Sequence, residues 1–297
     1  YQVMSWLNGT IRTSDFTFHR YEGFNSPTQE TPLEMADNIQ KATILIGRPY
    51  LHDWILESLK ALQSKLSIEF PLVVVREENG STDTRRSLVR ENPVANWFKR
   101  EFIEYRSGEI EFTDADLFED TEICHCNPER EGARVHVPSD IVSRVARQTD
   151  VVIQFGFGIL SGEILTAPDY GVVSFHHGDM REYRGGPAGF WEFLHGKDTA
   201  GVTVQQLSEQ LDAGAVLAVE TVDISDARTL SDVRERLYTT SPSVLVNAIE
   251  RLSSPAEDAT PPDELGPVYT SEDITPTVII RFILRTGYGI AVTEEQV

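Results

Sequence analysis

Val172-Val-Ser-Phe-His176 runs directly into His177-Gly-Asp-Met-Arg-Glu-Tyr-Arg-Gly185. The first segment is short and apolar, and it predicts a β-strand. Side chains alternate along a strand, so Ser174 and His176 are expected on one face. The second segment is rich in glycine and charge, which is typical of an irregular turn. The sequence therefore predicts a strand that delivers polar side chains to its carboxyl end.

The residues that follow predict a helix and then a hairpin. Gly186 to Gly196 has Pro just inside its start and Gly just past its end, as helices often do. Residues 201–207 and 215–222 have the composition of two strands, and residues 208–214 form the loop between them. Asp212 lies in that loop. A His at a strand end and an Asp in a later loop could converge on one pocket.

Three pieces of this region together resemble the signature of the formyltransferases that use 10-formyltetrahydrofolate. That family has Asn-x-His at a strand end, then a run ending in Tyr-Arg-Gly, then a Leu-Asp-x-Gly loop. Here His176, Tyr183-Arg184-Gly185 and Leu211-Asp212-x-Gly214 match the pattern. Ser174 occupies the position of the family's catalytic Asn.

The resemblance implies an α/β fold of formyltransferase type, with a Rossmann-like, open, mostly parallel sheet and helices on both faces. The order of elements agrees, because residues 41–47, 54–62 and 70–75 read as a β-α-β unit. We predict an N-terminal arm over residues 1–40, a catalytic domain over 41–252 and a C-terminal extension over 253–297.

Further elements are predicted from periodicity and capping. Pro242 is expected to divide residues 229–252 into two helical pieces, and residues 277–284 are consistent with an edge strand or a dimer contact. The other predictions are a helix over 94–105, a strand over 134–137, a helix over 138–147 capped by Ser139, and a strand over 150–155.

Residues after two predicted strands are candidates for ligand binding, because ligands of open α/β sheets bind at the carboxyl ends of strands. The resemblance implies that the formyl donor, 10-formyltetrahydrofolate, is held by Gly156, Phe157, Gly158, Ile159, Leu160 and Leu211. A plain strand-to-helix turn is the alternative for the first five. Arg48 would meet a phosphate or carboxylate of the acceptor, or would form a surface ion pair.

The resemblance also implies roles in catalysis. His176 would stabilise the oxyanion and carry the proton, since imidazole titrates near neutral pH. Asp212 would orient the imidazole and act as general base. Ser174 is shorter than Asn and has one donor. The protein is then a slower transferase, a transferase whose donor comes from elsewhere (His177 is adjacent), or a binding protein that has lost catalysis.

Composition limits the partners. The chain has 297 residues and a formal net charge of −21, which argues against a nucleic-acid surface, because phosphate binding needs clustered Lys and Arg. No apolar run is long enough for a membrane span, and no signal peptide is visible. We therefore expect a cytoplasmic protein. Its acidity is typical of salt-rich cytoplasm, although an ordinary acidic protein is the alternative.

Cys124-His125-Cys126 offers too few ligands for a zinc site, so two structural thiols and no metal are expected.

The function predicted from the sequence is transfer of a formyl group to a primary amine of a small substrate. A nucleotide-linked amino sugar is favoured as acceptor, and a homodimer is one assembly that the sequence allows. Two alternatives stay open. One is a formyltetrahydrofolate hydrolase, in which water replaces the amine. The other is a folate-binding homologue with lost or altered catalysis because of Ser174.

Overall fold

A computed structural model describes residues 39–77, 109–111, 115–209, 214–254 and 264–294. The strands are β1 Lys41–Ile46, β2 Tyr50–His52, β3 Glu69–Arg76, β4 Glu109–Glu111, β5 Glu122–Cys126, β6 Glu129–Glu131, β7 Arg134–His136, β8 Val151–Phe155, β9 Ile159–Ser161, β10 Val172–His176, β11 Arg184–Gly185, β12 Thr199–Gln206, β13 Ala215–Asp223 and β14 Val268–Tyr269. The α-helices are α1 Asp53–Leu66, α2 Ser139–Gln148, α3 Phe190–His195, α4 Leu230–Leu252 and α5 Pro276–Glu294. Short 3₁₀ turns span Asp116–Phe118, Glu163–Leu165 and Ser271–Asp273.

The central sheet has seven strands in the order β13-β12-β10-β8-β1-β3-β5. The five strands from β10 to β5 are parallel, and the β12–β13 hairpin begins with a strand antiparallel to β10. This is the open, mostly parallel α/β sheet that the sequence predicts. All five parallel strands end at the same edge, which is where such sheets bind ligands.

Two hydrophobic layers cover the sheet. Ile44 and Ile46 of β1 belong to the larger layer, which contains the buried faces of α1 and α4, while Leu45 belongs to the layer beneath α2. Alternate side chains thus enter opposite layers, which explains why the strand is apolar at nearly every position. The predicted helices on both faces are confirmed.

Helix α3 begins later than the sequence predicts. It starts at Phe190, and Pro187 lies outside it. The reason is Gly189, whose φ of 67° is left-handed and cannot continue an α-helix backward. Its Cα also packs closely on α4, since an added Cβ would lie 2.7 Å from Val233. Gly196 is the left-handed C-cap, as predicted.

Helix α4 is continuous, so the prediction of two pieces divided by Pro242 is wrong. Proline removes one backbone hydrogen bond and costs roughly 3 kcal/mol in a helix interior. Residues on both sides of Pro242 are buried in the same layer, among them Leu237 and Leu245. Their burial contributes more than the proline costs, since each fully buried Leu contributes ~2 kcal/mol.

Helix α2 differs from its prediction at the start, because Pro138, not Ser139, is at the N-cap position.

Residues 277–284 lie in helix α5, so the prediction of an edge strand is wrong. Ile279 and Phe282 are three positions apart and buried, and the Phe282 ring packs on Phe190 and Phe193 at centroid distances of 5.4 and 5.9 Å. The β-branched residues disfavour a helix by only a few tenths of a kcal/mol each, and tertiary packing overrides that preference. The helix predicted over residues 94–105 lies outside the described residues. Within the described residues, no helix is long and apolar enough to cross a membrane.

Candidate active site

A cavity of about 270 Å³ opens at the carboxyl ends of β1, β8 and β10. It is therefore at the edge of the sheet where the sequence predicts ligand binding. Its lining combines apolar and aromatic groups with a few polar ones, as small-molecule sites commonly do. The lining residues are Ile46, Gly47, Arg48, Tyr50, His52, Trp54, Ile55, Gln154, Phe155, Gly156, Ser174, Phe175 and His177.

Aromatic rings from three separate segments pack together at one wall of the cavity, which Trp54, Phe175 and His177 line. Trp54 of α1 stacks on Tyr238 of α4, with centroids 5.1 Å apart and planes 6° apart. Phe175 and His177 meet the same indole edge-on, at 5.3 and 4.9 Å. These contacts hold the strand end and both helices in a fixed arrangement, because edge-to-face and offset-stacked rings are favourable geometries.

His177 is a structural part of that wall. Its Nε2 lies 2.9 Å from the Ser241 hydroxyl. Desolvation by the surrounding atoms lowers the pKa of His177 to about 3, with smaller contributions from the charges of His176 and Arg234. The ring is therefore neutral at physiological pH.

Ser174 is joined to the neighbouring strand by a side-chain hydrogen bond. Gln154 Nε2 of β8 donates to Ser174 Oγ at 2.9 Å, and Gln154 Oε1 accepts from the Phe157 N–H at 3.2 Å. The strands pair in register here, with Ser174 opposite Gln154. The same glutamine thus fixes Ser174 and the turn that leaves β8.

His176 contacts the turn that follows it. Its Nε2 lies 2.8 Å from the Tyr183 carbonyl oxygen, which can only accept, so in the neutral ring Nε2 carries the proton and Nδ1 is left as the acceptor. Asp179 in the turn binds the Arg181 guanidinium, which holds the pKa of that carboxyl below its usual range. His176 is not among the residues that line the cavity, although Ser174, two positions earlier, is.

The C-terminal part of the chain braces this turn. Strand β14 pairs with β11, where the Arg184 N–H donates to the Pro267 carbonyl at 3.0 Å and the Gly186 N–H donates to the Tyr269 carbonyl at 3.2 Å. Arg184 Nε also donates to the Gly266 carbonyl at 2.7 Å. The residues that follow the Tyr183 carbonyl are thereby held in place.

The segment predicted to bind folate contains one residue that lines the cavity and others that do not. Gly156 lines the cavity with a φ of 63°, and its carbonyl touches Gly47, on which a Cβ would lie 2.1 Å from that oxygen. Phe157 and Leu160 are buried in the layer beneath α2, while Ile159 is 39% exposed. Gly158 has a φ of 129°, a left-handed value that suits glycine.

Leu211 and Asp212 lie outside the described residues. Glu209, the last described residue before them, has several polar contacts. Glu209 accepts from the Gly162 N–H at 2.6 Å and the Ser161 hydroxyl at 2.8 Å, and it pairs with Arg134 at 3.1 Å. These donors lower the pKa of the Glu209 carboxyl, and the Gly162 N–H has the largest effect. The hairpin loop therefore starts beside the end of β9.

Part of the chain is similar to proteins of known function. Residues 115–249 match the family model described as "Formyl transferase". Methionyl-tRNA formyltransferase from Bacillus subtilis (strain 168) is 28% identical over 145 residues, which is 46% of each chain. The enzyme of the same name from Bacillus cereus (strain Q1) is 30% identical over 114 residues, 38% of this chain and 36% of that protein. These matches support the formyl transferase family for residues 115–249. It spans less than half the length of these curated relatives.

Solved structures of formyl transferases share the fold. A sugar N-formyltransferase from Shewanella sp FDAARGOS_354 aligns with a TM-score of 0.52 at 15% identity, over 83% of this chain and 87% of that one. An N-formyltransferase from Helicobacter canadensis, in a complex with folinic acid and dTDP-3-aminofucose, aligns with a TM-score of 0.53 at 11% identity, over 84% and 81%. At these identities the likeness establishes the fold alone.

Sequence reasoning missed two residues of this candidate site. Gln154 could have been found, because it is the one polar side chain in the otherwise apolar strand Val151–Phe155. Trp54 carried no signal beyond its helical spacing, since its role depends on contacts with β10 and α4.

Cys124 and Cys126 are unpaired thiols. Burial raises the pKa of both, to about 11 for Cys126. Within the described residues, no three His, Cys, Asp or Glu side chains cluster as metal ligands.

Proposed function

We propose that the protein transfers the formyl group of 10-formyltetrahydrofolate to a primary amine of a small substrate. The main support is the cavity at the ends of β1, β8 and β10, whose lining includes Ser174 and Gln154. His176 lies two positions after Ser174 in β10. The match of residues 115–249 to the formyl transferase family model supports the reaction type.

The residues fit the steps of such a transfer. The amine nitrogen attacks the formyl carbon, and the carbonyl electron pair moves onto oxygen. His176 Nδ1 is the acceptor for the proton that leaves the attacking nitrogen, because Nε2 is committed to the Tyr183 carbonyl. Collapse then breaks the bond to the folate N10, which takes that proton. We assign Asp212 to orientation and general base catalysis, as the sequence predicts.

For the folate we retain the predicted set, which is Gly156, Phe157, Gly158, Ile159, Leu160 and Leu211. Gly156 would meet the ligand directly, because it is the member of the described part of that set that lines the cavity. Phe157 and Leu160 would act by holding the turn in shape, since both are buried.

A nucleotide-linked amino sugar is the acceptor we favour. The aromatic wall formed by Trp54 and Phe175 would cover the apolar face of a sugar ring, and Arg48 at the opening would meet an anionic group such as a phosphate. In this proposal the amino sugar end of such a molecule would enter the cavity of about 270 Å³, and the nucleotide would lie outside it. The ligand named with the Helicobacter canadensis structure belongs to this chemical class.

A second candidate is a folate-binding homologue with altered catalysis. It is favoured by the Ser174 hydroxyl, which already accepts a hydrogen bond from Gln154. Cytoplasmic location, a halophilic source and a homodimer remain predictions from composition and from the apolar residues of α5.

One experiment separates these functions. Purified protein is mixed with 10-formyltetrahydrofolate, with and without a panel of nucleotide-linked amino sugars, in low and in molar KCl. Tetrahydrofolate and formate are followed by mass spectrometry. Tetrahydrofolate that appears only with an amine supports the transferase, and formate without any amine supports the hydrolase. Bound folate without turnover supports the binding protein. Arg48→Ala should raise the KM for a phosphorylated acceptor and leave that for an unphosphorylated amine unchanged.

A further inference from the structure

Gln154 is a polar residue in the middle of an apolar sheet. It is the fourth residue of β8, which pairs with β1 on one side and β10 on the other. Its side chain is half-buried and lines the cavity. An unpaired buried polar group costs roughly 1–3 kcal/mol, so each hydrogen-bonding group of this amide is expected to have a partner in the protein, in solvent or in a ligand.

The orientation of the amide follows from its partners. The Phe157 N–H can only donate, so the group facing it is Oε1, and Nε2 therefore faces Ser174. An amide nitrogen carries two hydrogens. One is used by the Ser174 hydroxyl, and no described residue accepts the other. Both ends of the amide are fixed, so this second hydrogen has a defined position at the cavity wall.

Four other polar groups of the cavity lining already make hydrogen bonds within the protein. Arg48 and Tyr50 hydrogen-bond to each other at the opening. Ser174 directs its own hydrogen toward the Phe175 carbonyl at 3.4 Å. His177 is neutral and has its Nε2 on Ser241.

We propose that Gln154 is a catalytic residue whose Nε2–H donates to the formyl oxygen as it becomes an oxyanion. This inference rests on the proposed function. When the amine nitrogen forms its bond to the formyl carbon, the carbonyl pair moves to oxygen and is met by the amide hydrogen. When the pair returns, the bond from carbon to N10 breaks, and the amide is unchanged. Ser174 then serves as the acceptor that orients the donor from the neighbouring strand.

The direct test is Gln154→Glu. This change keeps the size of the side chain and an oxygen for the Phe157 N–H, but it removes the amide hydrogens. The expected result is a loss of roughly 10²–10³ in kcat, the usual effect of removing one oxyanion donor, while the KM for the formyl donor stays within a few-fold of wild type. Gln154→Met is the uncharged control and should lose as much.

Rescue separates donation from packing. In Gln154→Ala the donor is lost, and Ser174→Asn in that background supplies a new amide from β10. The double variant should recover at least about tenfold in kcat, while Ser174→Asn alone should change kcat less, so the two effects are not additive. Wild-type kcat in Gln154→Glu and Gln154→Met would overturn the inference, and so would the absence of rescue.

A binding measurement keeps the inference testable without turnover. The side-chain amide resonances of ¹⁵N-labelled protein are assigned with the Gln154→Glu spectrum, and 5-formyltetrahydrofolate is added. A shift of the Gln154 amide signals on binding is expected. Bound ligand without that shift would overturn the assignment. Wild-type protein that gives no turnover with any amine and binds no folate would instead refute the proposed function, and the inference with it.

Discussion

Replacing Glu192 by Gln should make the protein more stable at alkaline pH and not at acid pH. Glu192 lies in α3, is 4% exposed, and its Oε1 is buried with no hydrogen-bond partner in the described part of the chain. Burial raises the pKa of this carboxyl to about 7. A backbone hydrogen bond at Glu192 and the charge of Lys197 oppose this rise, and the charges of Glu182 and Asp179 add to it. The folded protein therefore holds this proton more tightly than the unfolded chain does.

The size of the effect follows from linkage. In the unfolded chain the carboxyl titrates near 4.5, and in the folded protein near 7. Between these values the folded state binds more protons, so the free energy of unfolding falls as pH rises, by ~1.4 kcal/mol per unit. The stabilisation is complete below pH ~4.5 and is lost above ~7, a total of about 3 kcal/mol. Gln stays neutral at every pH, so Glu192→Gln should not show this loss.

Urea unfolding of wild type and Glu192→Gln at about pH 5 and pH 8.5 measures the effect. The variant should match wild type within ~1 kcal/mol at the lower pH and exceed it by about 2–3 kcal/mol at the higher one, as the linkage requires. Glu182→Gln is the matched control, because Glu182 is an exposed carboxylate paired with Lys197 at 2.7 Å. It should change stability by less than ~1 kcal/mol at either pH. Equal differences between wild type and Glu192→Gln at both pH values would refute the reasoning.

Three further predictions concern catalysis and stability. His176→Ala should abolish formyl transfer with an unchanged circular dichroism spectrum, and wild-type turnover would contradict its assigned role. Gly185→Ala should lower the free energy of unfolding by at least ~2 kcal/mol in urea, because Gly185 has a φ of 83° and a Cβ there would lie 2.0 Å from the Tyr269 carbonyl oxygen; an unchanged midpoint would contradict this close approach. Pro242→Ala should raise it by about 2 kcal/mol, because it restores a hydrogen bond inside α4, and a lower midpoint would show that the proline is needed there.

The parallel sheet could be predicted from the sequence because burial on both faces leaves a direct mark. β1 and β3 are continuous apolar runs. The predicted bounds 41–47 and 70–75 differ from the observed Lys41–Ile46 and Glu69–Arg76 by no more than one residue at any end. The hairpin was predictable for a similar reason, since its strands are joined by a short polar loop.

The failures share one physical cause, which is that distant packing overrides local preference. Pro242 would end an isolated helix, but the buried residues on both sides of it hold α4 against the sheet as one helix. Residues 277–284 favour a strand by their β-branched composition, but they form a helix in which Phe282 packs on Phe190 and Phe193. Neither contact can be deduced from neighbours in the sequence.

The site shows the same division. Ser174 and His176 were predicted because they lie in a recognisable pattern. Both are in β10, but only Ser174 of the two lines the cavity. The aromatic wall was missed because Trp54, Phe175 and Tyr238 come from three segments that meet only in the folded protein. The position of Asp212 relative to His176 stays a prediction, since Asp212 lies outside the described residues.

Hydrogen bonds with residues 266–269 hold the turn that contains the Tyr183 carbonyl. A histidine can accept a proton at Nδ1 only while its other nitrogen keeps a hydrogen, and that depends on the Tyr183 carbonyl remaining within hydrogen-bond distance of Nε2. The carbonyl is held through Arg184, whose N–H and Nε bind the Pro267 and Gly266 carbonyls. Tyr269 adds a ring stacked on Tyr183 at 5.7 Å. Because residues 266–269 hold the peptide that carries this carbonyl, we expect changes in them to lower kcat more than they raise the KM for either substrate.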